Sequence, residues 1–171
     1  MEIVCEGYKK SMRKDSDNAK LLEPGELPSK RKILVVEDNE LNRDIRLIQT
    51  EGDCTVTGSY ILLYRAVYNL VENAIKYNRP SGSVTVNIHS AESAVLEVTD
   101  TGIGISPENQ EKIFDPFYRV DKSRSRAMGG AGLGLALVSE IARQHNGQVK
   151  VTQSSEKGST IALILPESTD Y

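Results

Sequence analysis

Between Ser59 and Asn78, the residues Leu63, Val67, Leu70 and Ala74 fall at i, i+4, i+7 and i+11, so a helix here carries one continuous apolar stripe. Such a stripe must be buried against a second layer. The chain supplies one at once. Val84, Val86 and Ile88 alternate with Thr85, Asn87 and His89, and Ala94, Leu96 and Val98 repeat the pattern, which is the period of half-buried strands. Upstream, Asp44–Gln49 and Asp53–Thr57 read as two short strands around Glu51-Gly52, with Ser59 as the N-cap of the helix. Downstream, Ser106–Ile113 suggests a short helix, and Phe114 to Ala131 a Gly- and Arg-rich loop. A second helix over Leu133–Gln144 stacks Leu133, Leu137 and Ile141 and closes at Asn146-Gly147. Strands at Gln148–Gln153 and Thr160–Leu165 complete the pattern. The expected fold is an α/β two-layer sandwich: a mixed, mostly antiparallel sheet with helices on one face.

At 171 residues the chain has room for one ordinary domain and an appended segment. Hydrophobic residues at 39% and charged residues at 26% fit a globular soluble protein and exclude a wholly disordered one. The net charge of −3 excludes a general nucleic-acid binder, which needs a basic face for phosphates. Cys5 and Cys54 are too few for a disulfide framework and lack the spacing of a zinc site, so a reducing, cytoplasmic setting is expected. No apolar run approaches the ~20 residues of a membrane span, and the first residues lack a signal-peptide shape. No membrane contact by this fragment is expected, although a longer parent could be anchored.

The chain divides at about residue 44. Residues 8–31 hold seven Lys/Arg and four Asp/Glu without apolar periodicity, and Pro24-Gly25 and Pro28-Ser29 are turn signals, so this stretch reads as a solvated tether. Met1–Glu6 has the makings of a strand remnant. Lys32-Ile-Leu-Val-Val36 then reads as a buried strand ending in Glu37-Asp38, either an acidic turn or an oxygen-ligand pair for Mg²⁺. The run over 32–45 resembles the opening of a response-regulator receiver domain, in which such a pair binds Mg²⁺, but the resemblance stops there. Residues 1–43 are therefore expected to be linker and receiver-like fragment, and 44–171 the working domain.

Four polar constellations could converge in this layout. On the first helix, Asn69, Glu72, Asn73 and Lys76 share a face at i, i+3, i+4 and i+7, with Tyr77 beside them. Carboxamide oxygens suit a Mg²⁺ that keeps most of its waters, and a Lys adds a mobile charge for phosphates. Taken alone, a polar helix face is simply the solvated side. Asp100-Thr101-Gly102-Ile103-Gly104 directly follows a strand, where a carboxylate can accept from an exocyclic amine while glycines let backbone approach a flat ring. Phe114-Asp115-Pro116-Phe117-Tyr118-Arg119, continuing to Lys122, Arg124 and Arg126, has the composition of a hinge and clamp, or of an anchor for a loose loop. Gly129-Gly130-Ala131-Gly132-Leu133-Gly134 opens a helix, where backbone N–H groups form a natural phosphate site.

Together, Asn69-Leu-Val-Glu-Asn-Ala-Ile-Lys-Tyr77, Asp100-Thr-Gly-Ile-Gly-Ile105, Ile113-Phe-Asp-Pro-Phe-Tyr-Arg119 and Gly129-Gly-Ala-Gly-Leu-Gly-Leu-Ala136 resemble, in order, the N, G1, F and G2 boxes of sensor histidine kinases. The resemblance is to their catalytic ATP-binding domain, of the GHKL group, over about residues 44–167, and it implies the Bergerat form of the sandwich. It implies that Asp100 binds the adenine amino group in a pocket shaped by Gly102 and Gly104. Asn73 would ligate Mg²⁺, and Asn69 would contact phosphate or metal-bound water. Lys76 and Tyr77 would line the nucleotide side, with Phe117, Gly130, Gly132, Leu133 and Gly134 in the lid over the phosphates. Arg119 would stabilise the γ-phosphate, Glu72 is a candidate general base, and Thr160 would border the adenine pocket. The implied activity is γ-phosphoryl transfer from Mg-ATP to a His on a separate dimerisation domain, with a response regulator downstream and ADP as product.

Two departures matter. Related ATP-hydrolysing GHKL enzymes carry a Glu where this chain has Asn69, which favours transfer to protein over water. The two histidines, His89 in a strand and His145 at a helix end, match no phosphoacceptor box, so ATP binding without autophosphorylation is expected. A non-catalytic nucleotide-binding module and an ATP-hydrolysing GHKL protein are the alternatives.

Overall fold

The computed structural model describes residues 2–5, 46–49, 52–90, 92–120 and 131–168. Among these residues seven strands run in chain order: β1 (Glu2–Cys5), β2 (Arg46–Gln49), β3 (Gly52–Thr55), β4 (Ser83–Ser90), β5 (Ala94–Asp100), β6 (Gln148–Ser155) and β7 (Gly158–Leu165). Helix α1 (Tyr60–Lys76) separates β3 from β4, and α2 (Gly134–Gln144) precedes β6.

Five strands form one sheet in the order β2-β4-β5-β7-β6. Only β2 runs parallel to its neighbour; the other pairings are antiparallel, so the sheet is mixed and mostly antiparallel, as the sequence implies. Strand β3 does not join this sheet but pairs antiparallel with β1, from Glu2↔Thr55 to Cys5↔Gly52. Residues 1–43 thus contribute a strand at their start. The rest of that segment, with the receiver-like run and the pair Glu37 and Asp38, lies outside the described residues.

Both helices cover the same face of the sheet and touch each other, α1 over β4 and β5 and α2 over β6 and β7. Alternation decides which side chains meet them. Val84, Val86 and Ile88 are buried on β4, Ala94, Leu96 and Val98 on β5, and Ile161, Leu163 and Leu165 on β7. The register lines them up across strands, Val86↔Val98 and Ile88↔Leu96, then Val98↔Ile161 and Leu96↔Leu163. Leu63, Val67, Leu70 and Ala74 of α1 are all buried, the stripe that their spacing predicts, with Ala66, Val71 and Ile75 widening it. Full burial of each large apolar side chain contributes about 1.5–3 kcal/mol relative to exposure.

The second helix departs from expectation. Its buried residues are Val138, Ile141 and Ala142, whereas Leu133 and Leu137 remain 44% and 37% exposed. Val138, Ile141 and Ala142 join the core shared with α1 and the sheet, so the leucine stack turns outward except at Ile141. The predicted helix over Ser106–Ile113 is instead two 3₁₀ turns, Pro107–Asn109 and Lys112–Phe114. Their amides reach back three residues, Asn109 N–H to Ser106 O and Asp115 N–H to Lys112 O, because so short a span cannot propagate an α-helix. At the end of α2, Asn146 adopts a left-handed φ of 55° and the Gly147 N–H bonds Ala142 O at 2.8 Å, which closes the helix where predicted.

Candidate functional site

The last residue of β5 is Asp100, buried to 9% exposure. Its Oδ1 accepts the Gly102 N–H at 2.7 Å and its Oδ2 accepts the Ser159 hydroxyl at 2.6 Å. A carboxylate held at both oxygens keeps a fixed direction and still has lone pairs for a further donor. The turn after it is pressed against the end of α1: the Ile103 N–H points to Tyr77 O at 3.4 Å. A Cβ on Gly102 would come within 2.3 Å of that same Tyr77 O and 2.6 Å of Asp100 Oδ1, so no side chain fits. Gly104, at φ +73°, faces Ser155 O in the β6–β7 hairpin. The sequence suggests that these glycines make room for a ring; the atoms they face are the protein's own, and they shape the site by letting its walls close.

Thr160 stands one step from Asp100, its hydroxyl 3.0 Å from that of Thr99 on the neighbouring strand. The group that meets the carboxylate is Ser159, which sequence reasoning missed. The register would have found it, since Thr99↔Thr160 places Ser159 opposite Asp100.

A second cluster lies where α1 meets the start of α2. Asn69 donates its Nδ2–H to Arg65 O at 2.7 Å, and a Cβ added at Gly134 would lie 2.8 Å from Asn69 Oδ1. The structure therefore brings Asn69 against the N-terminus of α2, where unpaired N–H groups and the helix dipole favour an anion. Glu72, Asn73 and Lys76 are half-buried farther along α1, with the Lys76 Nζ 5.9 Å from the centre of the Tyr77 ring.

The third cluster joins the two ends of the Gly- and Arg-rich loop. Phe117 donates its N–H to Gly132 O at 2.9 Å, and both residues hold positive φ, 65° and 72°. Phe117 carries that strain as a non-glycine residue while 71% exposed. Next to it, Tyr118 donates its hydroxyl to Asn109 Oδ1 at 2.5 Å, and Arg119 folds inward. Nη2 of Arg119 is shielded from water without a hydrogen-bond partner among the described residues. Leu133 caps α2 by position. Gly130, with Gly129, Lys122, Arg124 and Arg126, lies outside the described residues.

A clamped acceptor carboxylate at a strand end and a glycine-bordered helix N-terminus facing an Asn, on a one-faced α/β sandwich, are features of an ATP-binding domain of the GHKL kind. The chain belongs to the family of histidine kinase-, DNA gyrase B-, and HSP90-like ATPases, whose profile matches residues 58–169. It is 45% identical over 128 residues to the sensor-like histidine kinase SenX3 of Mycobacterium tuberculosis, covering 73% of this chain and 31% of SenX3. To the sensor histidine kinase RppB of Synechocystis it is 44% identical over 118 residues, covering 68% of this chain and 26% of RppB. It thus spans less than a third of the length of either relative. Among solved structures, a mycobacterial sensor histidine kinase MprB superposes with a TM-score of 0.64 at 32% identity, over 74% of this chain and 85% of that one. The chain carries the ATPase catalytic domain of the type found in sensor histidine kinases.

Proposed function

We propose that this domain positions Mg-ATP for transfer of the γ-phosphoryl group to a histidine on a separate dimerisation domain, from which a response regulator is then phosphorylated. The observation that carries the reading is Arg119. A guanidinium nitrogen buried without a partner among the described residues costs about 1–3 kcal/mol, and an anionic ligand is a group that would repay it. Asp100 holds the adenine amino group, Gly102 and Gly104 let the walls of its pocket close, and Ser159 steadies the carboxylate, with Thr160 behind it. Tyr77, Lys76, Phe117 and Leu133 flank the nucleotide, and Gly132 and Gly134 keep the lid segment close to Asn69.

Among the described residues, no cluster of three or more His, Cys, Asp or Glu could hold a metal ion. Asn73, supported by Asn69, fits Mg²⁺ in another way: a carboxamide oxygen is a hard ligand, and Mg²⁺ bound by one or two protein groups fills its shell with water and phosphate oxygens. Bound there, Mg²⁺ would neutralise phosphate charge. In the loose transition state of phosphoryl transfer charge spreads over the equatorial oxygens, where Arg119 supplies fixed positive charge. Glu72 is placed on the same helix as a candidate base for the acceptor imidazole.

The setting is cytoplasmic, where ATP is available. Among the described residues no helix is long and apolar enough to cross a membrane. The test is a transfer assay with γ-labelled ATP and a supplied dimerisation domain. Label on the acceptor histidine supports the reading; nucleotide binding without any label would reduce the domain to a binding module, and steady ADP release without acceptor would make it a hydrolase.

A further inference from the structure

Asn78, just beyond α1, and Thr101, just after Asp100, are joined in a closed set of hydrogen bonds around the start of β4. The Asn78 Nδ2–H donates to Ser83 O at 2.9 Å, and its Oδ1 accepts both the Arg79 N–H at 2.9 Å and the Thr101 hydroxyl at 3.0 Å. The Thr101 Oγ1 in turn accepts the Ser83 N–H at 2.8 Å, and the Thr101 N–H donates to Ser83 O at 3.1 Å. The amide orientation is unambiguous, because turning it over would set the NH₂ group against an N–H donor. Gly82 completes the set: a Cβ there would lie 2.3 Å from Asn78 Oδ1 and 2.6 Å from Thr101 Oγ1.

We infer that Asn78 and Thr101 are positioning residues for the nucleotide, locking the turn that aims the Asp100 carboxylate. The path is short. The Gly102 N–H that orients Asp100 Oδ1 belongs to the residue after Thr101, and Ile103 is tied to Tyr77, the residue before Asn78. With the Thr101 hydroxyl removed, the turn keeps its backbone bonds from Thr101 to Ser83 and from Ile103 to Tyr77 but loses its tie to Asn78, and the donor on Asp100 is held less firmly. Several of these bonds are exposed to water, which can replace them, so their loss should move site geometry more than global stability. The inference rests on the nucleotide reading of Asp100.

The test is calorimetric titration of the whole chain with Mg-ADP and with adenosine, for the parent, Thr101→Val, Thr101→Ser and Asn78→Ala. Valine keeps the shape without the hydroxyl, and serine keeps the hydroxyl without the methyl. Thr101→Val and Asn78→Ala should each weaken Mg-ADP about tenfold, Thr101→Ser should restore parental affinity, and adenosine should weaken by the same factor because the defect lies on the base side. Should Thr101→Val not fold, Asn78→Ala read against Thr101→Ser decides the same question. A parent chain that binds no Mg-ADP overturns the nucleotide reading, and this inference with it. A parent that binds, beside variants that bind equally well, overturns this inference alone.

Discussion

The Ser59 N–H donates to Nε2 of His145 across 3.1 Å, joining the first turn of α1 to the end of α2 although they stand 86 positions apart in the chain. Nδ1 of the same ring lies 2.7 Å from Ile141 O, so Nδ1 carries the proton and Nε2 is the acceptor. Ser59 is the N-cap by position, yet its hydroxyl makes no capping bond; the imidazole is what anchors the helix start. Gly58 completes the fit, since a Cβ there would lie 2.3 Å from His145 Cδ2. His145→Ala is therefore expected to lower stability by about 1 kcal/mol in urea unfolding, through the lost hydrogen bonds and the lost packing of the ring against Gly58. Ser59→Ala should cost well under the ~1 kcal/mol of a lost serine cap. Equal unfolding midpoints for His145→Ala and the parent would show that the tie is idle.

The two faces of α2 should respond very differently to substitution. Ile141 is 1% exposed, and Ile141→Ala is expected to cost about 2–5 kcal/mol, while Leu137→Gln should stay within about 0.5 kcal/mol. Thermal unfolding of both variants checks this, and a large loss at Leu137 would contradict the packing. The same contrast explains what was legible in the sequence. The stripe on α1 was readable because seven of its 17 residues are buried and share one side. Helix α2 buries only three residues, and a stack of leucines four apart fits either of two adjacent faces. Docking against α1 chooses between them, and periodicity carries no knowledge of that neighbour.

At the site, Asp100 was legible because an acid between a strand and a glycine turn stands out within one segment. Ser159 was not, because its meeting with Asp100 depends on the pairing of β5 with β7, strands some sixty residues apart in the chain, whose register is Thr99↔Thr160. A slip of one residue would bring Thr160 to the carboxylate instead. Ser159→Ala should weaken Mg-ADP about tenfold, the loss of one hydrogen bond to a charged group. Thr160→Val, whose hydroxyl meets only Thr99 and not the carboxylate, should change affinity less. Calorimetry ranks the two, and the reverse order would move the main support of the adenine pocket from Ser159 to Thr160.

Acid sensitivity has a local source on α2. Arg143 grips both oxygens of Glu140, at 2.7 and 2.9 Å, and Gln144 adds a third donor at 2.9 Å, which together hold the Glu140 carboxyl down from 4.5 to about 2. A carboxyl depressed on folding stabilises the protein above its unfolded value and loses that contribution as pH falls through the folded one. The gap in thermal midpoint between the parent and Glu140→Gln should thus be constant above about pH 5, narrow steadily below it, and vanish near pH 2. Because the pair is exposed, 150 mM salt should shrink the gap at neutral pH. A gap that persisted at acid pH would assign the effect to packing instead of charge.

Arg119 sets stability against function. With Nη2 shielded and unpaired among the described residues, the folded domain bears a cost that a smaller side chain would not. Arg119→Ala should unfold at the same temperature as the parent or higher, although the aliphatic stem packs less surface. Phosphoryl transfer to a supplied dimerisation domain should nevertheless fall on the order of 10²–10³-fold, the effect of removing one fixed charge from a developing anion. A second measurement ties the two effects to one atom. In the parent, Mg-ATP should raise the thermal midpoint more than Mg-ADP does, because the extra phosphate meets the buried donor; in Arg119→Ala the two nucleotides should shift it alike. Adenine contacts at Asp100 are untouched by the change, so Mg-ADP should still bind. If Arg119→Ala keeps the larger ATP shift, the γ-phosphate is held elsewhere, and the buried nitrogen serves the fold of the loop instead of transfer.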